Sequence, residues 1–135
     1  MRSLQNSRCS RDMKYPASKK LTVPQLTERF LTPALYQFKA ELHGEIARYN
    51  RLFRELVAIA QELKARAGDQ RVALVPLFAH PNPQVRLMAA ELALPVAKAS
   101  ACQTLQELWD RNEFRQAAYA MGTLRALERG DRKLT

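Results

Sequence analysis

An all-α fold is predicted for this chain, and three features of its sequence carry the prediction. It has only four glycines in 135 residues, too few for a turn-dense β fold. Alanine, leucine, arginine, glutamate and glutamine, all good helix formers, dominate the composition. Beyond residue 20, apolar residues recur at spacings of three and four, as on the buried face of a helix. The length fits one domain with a core large enough to stand alone. The expected organisation is a basic tail over 1–20, a single helical domain over 21–130 and a short tail over 131–135.

Residues 1–20 lack periodicity and mix Ser, Arg, Lys, Asn and Pro, the composition of a disordered arm. Met13-Lys14 reads as a start, with residues 1–12 an upstream extension. Thr22 and Gln25 have capping-box spacing and open the first helix. Leu26 and Phe30, with Leu35 or Phe38, form its apolar stripe. Pro33 predicts a kink near Leu31. After a break at Leu42-His43-Gly44, a longer helix runs to about Arg66. Ile46, Tyr49, Phe53, Leu56, Ala60 and Leu63 share its buried stripe, widened by Leu52 and Ile59. Arg48, Arg51, Arg54 and Lys64 mix with Glu45, Glu55 and Glu62 on the rest of its surface, and Glu62–Arg66 is a favourable i,i+4 pair.

Gly68 ends that helix as a left-handed cap, and Asp69 caps the next start. Val72, Leu74, Val75, Leu77 and Phe78 bury a short third helix. Asn82-Pro83 opens the fourth, because Asn accepts from free amides and Pro has none to lose. Val85, Met88 or Ala89, and Leu92 face inward there, while Ala90, Ala93 and Ala97 permit close helix approach. Pro95 bends or ends it. Ser100 and Gln103 repeat the capping-box spacing for a fifth helix with an apolar face of Leu105, Leu108 and Trp109. Asn112 is expected to cap a sixth carrying Phe114, Ala117 or Ala118, Met121, Leu124 and Leu127. Gly122 within it costs about 1 kcal/mol against Ala unless another backbone approaches. The last four helices make two hairpins of about thirty residues each. In the first, apolar runs flank His80-Pro81-Asn82-Pro83 and are followed by Val85-Arg86 and Ala89-Ala90. That hairpin resembles a HEAT-type repeat. The expected architecture is thus a HEAT-like α-α superhelix of about six helices, two C-terminal hairpins packed on two longer N-terminal helices.

Charge and chemistry narrow the function. The formal charge is +9 and the pI about 10.1. Six Lys/Arg against one acid put +5 of this in residues 1–20, and sixteen against twelve leave +4 elsewhere. No apolar run reaches the roughly 18 residues needed to span a bilayer. Cys9 and Cys102 make no disulfide framework, which favours a reducing, cytoplasmic setting. His43 and His80 lie in no metal-ligand spacing, the four glycines are isolated, and no nucleophile motif is present. No catalytic, cofactor-binding or metal-binding residue is therefore nominated.

The run Gly44-Glu45-Ile46-Ala47-Arg48-Tyr49-Asn50-Arg51-Leu52-Phe53, the turn Gly68-Asp69-Gln70-Arg71, and His80-Pro81-Asn82 through Val85-Arg86-Leu87 resemble a small bacterial family of unknown function. The resemblance extends from about Thr22 to the end. It implies a compact α-α superhelix of HEAT or armadillo type and supplies no catalytic residues. By fold analogy it also suggests the immunity proteins of polymorphic toxin systems, which occupy a toxin by protein–protein contact.

The expected function is a non-enzymatic protein-interaction module, an immunity-type antitoxin being one form. Arg48, Arg51, Arg54 and Arg86, with Phe78 and His80 at the hairpin turn, are the candidate partner-binding residues. The alternative is a nucleic-acid-binding module using the basic tail and helix surface. A duplex binder commonly makes roughly 6–10 phosphate contacts, against an excess of four outside the tail.

Overall fold

The computed structural model describes residues 20–135. Expectations for the basic tail, Cys9 and the start at Met13 lie outside these residues. The described part is helical, with no strand: α1 (Val23–Leu42), α2 (Ile46–Ala65), a 3₁₀ segment (Gln70–Ala79), α3 (Pro83–Ala93), α4 (Lys98–Asp110) and α5 (Phe114–Arg129). Neighbours pair in order, α1 with α2, the 3₁₀ segment with α3, and α4 with α5.

Helix α3 is the centre of the packing. It touches α1, α2, the 3₁₀ segment, α4 and α5. Residues 84 to 90 are all buried, followed by Ala93 and Leu94. The sequence pattern assigns this helix one inward face; the structure covers it all round. Its alanines make that possible, since Ala89, Ala90 and Ala93 carry little bulk and let flanking helices approach. Leu26 and Phe30 of α1, Leu56 and Leu63 of α2, Leu74, and Leu105 and Leu108 of α4 complete the core.

Several local expectations hold. Thr22 and Gln25 form the reciprocal capping box. Asn82 Oδ1 accepts from the amides of Gln84 and Val85 with Pro83 at the first helical position. Asp69 Oδ1 accepts from the Arg71 amide, and Arg66 Nε donates to Glu62 Oε2 at 2.9 Å.

Pro33 lies buried inside α1 and does not end it. Other expectations are corrected. The α1 stripe continues through Ala34, Gln37 and Ala40, while Leu35 is exposed and Phe38 only half-buried. In α2, Ile46 and Phe53 are exposed and Leu52 joins Leu56, Ala60 and Leu63 inside. The third helix is a 3₁₀ segment containing Pro76, with Val72 exposed and Arg71 buried. Trp109 and Phe114 are exposed as well. Helix α4 begins at Lys98, so Ser100 falls within its first turn and caps nothing; its hydroxyl donates to Ala97 O.

Asn112 does not cap α5 but ends α4. It is left-handed, at φ 52°. Its amide donates to Trp109 O, and the next amide, of Glu113, reaches Leu108 O. These paired bonds satisfy the carbonyls left open at a helix end. Gly44 ends α1 by the same pattern, with Gly44 N–H to Glu41 O and Glu45 N–H to Ala40 O. Arg132 Nη1 contacts Glu91 Oε1 at 2.8 Å, and Arg71 Nη2 donates to Thr135 O at 3.4 Å.

Gly122 is exposed, with open space where a Cβ would stand. No close backbone approach justifies a glycine there. Gly122→Ala is expected to stabilise the protein by about 1 kcal/mol, read as a higher urea midpoint at unchanged slope.

Candidate functional site

Three turns converge at one end of the helix stack: 43–45 between α1 and α2, 80–82 before α3, and 111–113 between α4 and α5. The link between the last two is Arg86. Its Nε donates to His80 O at 2.8 Å and its Nη2 reaches Pro81 O at 3.4 Å and Glu113 Oε2 at 3.2 Å. A planar guanidinium suits this work because it offers several donors in a fixed fork. Arg86 is 8% exposed, so it braces the turns from within. His80 Nδ1 accepts from the Asn82 amide at 3.0 Å and shapes its own turn.

Glu41 links the first turn to the third. Its carboxylate accepts from Arg115 Nη1 at 3.1 Å and from the Tyr119 hydroxyl at 3.0 Å. The Tyr119 ring stacks on Tyr49, with centroids 6.0 Å apart and planes 14° from parallel. Burial, then the bond to Glu41, raises the Tyr119 pKa.

Beneath this surface lies a polar network that binds four helices. Gln84 Nε2 donates to Gln37 Oε1 and to the Tyr49 hydroxyl, each at 3.1 Å, and Gln84 Oε1 accepts from Gln116 Nε2 at 2.8 Å. Gln37 Nε2 in turn donates to Tyr49 O at 3.3 Å. All three glutamines are buried. Burial also pushes the Tyr49 phenol up to about 12, so it remains a neutral hydrogen-bonding group at neutral pH.

The two matched turns leave large apolar side chains in water. Ile46 follows Gly44-Glu45 and is 74% exposed; Phe114 follows Asn112-Glu113 and is 68% exposed. In both turns the apolar residue's amide donates to the oxygen of the left-handed residue. Phe114 itself has a φ of 39°, an uncommon conformation for a bulky residue. Leu42 and Tyr119 are exposed beside them.

The structure distributes the sequence candidates unevenly. Arg48 lies on the rim of this corner, 3.5 Å from Glu45 and 5.7 Å from the centre of the Tyr36 ring. Arg51 and Arg54 are exposed farther along α2. Phe78 is half-buried against the core, and His80 and Arg86 shape the turns. Gln37, Gln84, Gln116, Ile46 and Phe114 were not singled out from sequence. A signal existed for Gln37, which continues the Leu26–Phe30–Ala34 spacing, but a polar residue in an apolar stripe reads as an interruption. Among the described residues no group of three or more His, Cys, Asp or Glu is placed to hold a metal ion. No described helix is long and apolar enough to cross a membrane.

The chain belongs to the family described as "Domain of unknown function (DUF2019)", whose model matches residues 25–128. It is also similar to a solved structure, that of the protein RPA1889 from Rhodopseudomonas palustris CGA009. The two are 42% identical, with a TM-score of 0.83, over 87% of this chain and 97% of that one. No curated protein matches the chain.

Two outcomes test the network. Gln84→Leu leaves Gln37 Oε1 and Gln116 Nε2 without their partner and is expected to cost about 2–5 kcal/mol, measured by urea unfolding. The raised Tyr49 pKa means that the fold favours the neutral phenol. That contribution is complete below pH 10 and is lost as pH rises through about 12. The unfolding midpoint of wild type should therefore fall over this range more steeply than that of Tyr49→Phe, which has no phenol to ionise.

Proposed function

We propose that this protein is a non-enzymatic interaction module, built as a HEAT-like stack, which binds a partner protein through the corner where its turns converge. The observation that carries this reading is the exposure of Ile46 and Phe114 on two like turns joined through Glu41, Arg115 and Tyr119. Side chains this large and this exposed lose apolar surface to water unless something covers them. Aromatic and arginine side chains are also the groups that most often dominate protein interfaces. The Gln84 network and Arg86 hold the corner in shape before binding, which lowers the ordering cost of association.

The partner surface is an apolar patch with charges at its edge, matching Arg48 and Arg115 outside Ile46 and Phe114. An immunity-type antitoxin is one instance of such a module, its partner then being a toxin encoded nearby. Phe114→Ala and Ile46→Ala touch no core contact, so each should change stability by less than about 0.5 kcal/mol. Each is expected to weaken partner binding by about 2 kcal/mol, roughly thirtyfold. The measurement is affinity for a partner cross-linked through a photoreactive residue at 114, with Lys98→Ala as control. Undiminished affinity in both corner variants overturns the reading. Unaltered toxicity of a neighbouring toxin on co-expression removes the immunity form alone.

A further inference from the structure

Away from the corner, the C-terminal part of α2, the 3₁₀ segment, the end of α3 and the segment after α5 enclose a cleft of about 180 Å³. Four cations line it: Lys64, Arg71, Arg132 and Lys133. Two of the four are answered within the protein. Arg71 Nε and Nη2 hold the Asp69 carboxylate at 2.9 and 2.7 Å, which keeps the Asp69 pKa below its ordinary value. Arg132 binds Glu91 through Nη1 at 2.8 Å and through Nη2 to the main-chain oxygen at 3.1 Å. Glu91 also accepts from the Thr123 hydroxyl. Neither Lys64 nor Lys133 makes a direct ion pair among the described residues, although the Lys64 charge acts on Asp69 at longer range.

Thr135 also lines the cleft, and its terminal carboxylate oxygen accepts from Arg71 Nη2 at 3.4 Å, so the four cations set against Asp69, Glu91 and this carboxylate leave the cleft with one positive charge in excess. It also holds an unspent donor. The Arg71 side chain is about nine-tenths buried. Its Nε and Nη2 are engaged, yet its Nη1 has no acceptor among the described residues. Leaving a buried donor of a charged group unanswered is costly. The three groups match one chemistry, a compact dianion with several acceptor oxygens. Arginine and lysine together are the usual partners of phosphate. The volume admits a phosphoryl group with a small substituent and falls below the roughly 300–1,000 Å³ of sites for larger ligands.

We propose that this cleft binds a phosphate-type dianion, with Lys64 and Lys133 supplying charge and Arg71 Nη1 a directed hydrogen bond. The ion comes either as inorganic phosphate or as the phosphoryl group of a small phosphorylated molecule. The site is independent of the partner-binding corner, and its failure leaves that reading standing.

The test is titration of the full chain with inorganic phosphate at constant ionic strength, followed by amide chemical shifts. Saturable shifts at Arg71 and Lys133 are expected. Lys64→Ala and Lys133→Ala, both at exposed positions, should each weaken binding at least fivefold. Arg51→Ala, which removes an exposed charge elsewhere, should leave it unchanged. A parallel titration with glycerol phosphate separates the sources: tighter binding by tenfold or more assigns a phosphorylated organic ligand, and equal or weaker binding assigns the free ion. Absence of saturation, or equal weakening by Arg51→Ala and Lys64→Ala, overturns the proposal.

Discussion

Gln84 stands fully buried at the start of a helix covered on all sides from residue 84 to 90, so its amide has to be answered from inside the protein. Its Nε2 donates to α1 and α2, and its Oε1 accepts a hydrogen bond from Gln116 of α5. Four helices are thereby held in one register by directional bonds, where apolar contacts alone would tolerate sliding. The network is built from neutral groups, so it buries no charge. A buried carboxylate at the same place would carry a large desolvation penalty.

That constraint shapes the surface above it. With α1, α2, α3 and α5 pinned, the turns at 43–45 and 111–113 are brought to the same end, and Arg86 ties the second to His80-Pro81. Each turn uses a left-handed residue, Gly44 or Asn112, to close the preceding helix within a few residues. The same short closure leaves the next apolar residue outside. Ile46 and Phe114 are exposed by the geometry of helix termination.

Much of the architecture was legible in the sequence. Thr22-Gln25, Gly68-Asp69 and Asn82-Pro83 are local signals whose chemistry is complete within a few residues, and the structure keeps all three. Errors arose where a signal had two local meanings. Asn112 suits either a helix start or a left-handed stop, and only the bonds to Trp109 and Leu108 choose between them. Ser100 and Gln103 have box spacing, but the helix already begins at Lys98. Ile46, Phe53 and Trp109 fit an apolar stripe by period, yet no neighbouring helix reaches far enough to cover them.

The candidate site was less legible. By sequence Arg86 is a candidate contact, and what makes it a brace is three acceptors from segments up to 27 residues away. Gln37, Gln84 and Gln116 carry no motif, and each alone reads as a solvated polar residue. Sequence by itself determined the all-α class, the number of helical segments and most of their ends, because propensity and capping act over a few residues. Only the tertiary structure decided that α3 is buried on every side, that three glutamines meet there, and that Ile46 and Phe114 remain in water. Those outcomes depend on which helices are neighbours, and contacts between distant residues are not written into local spacing.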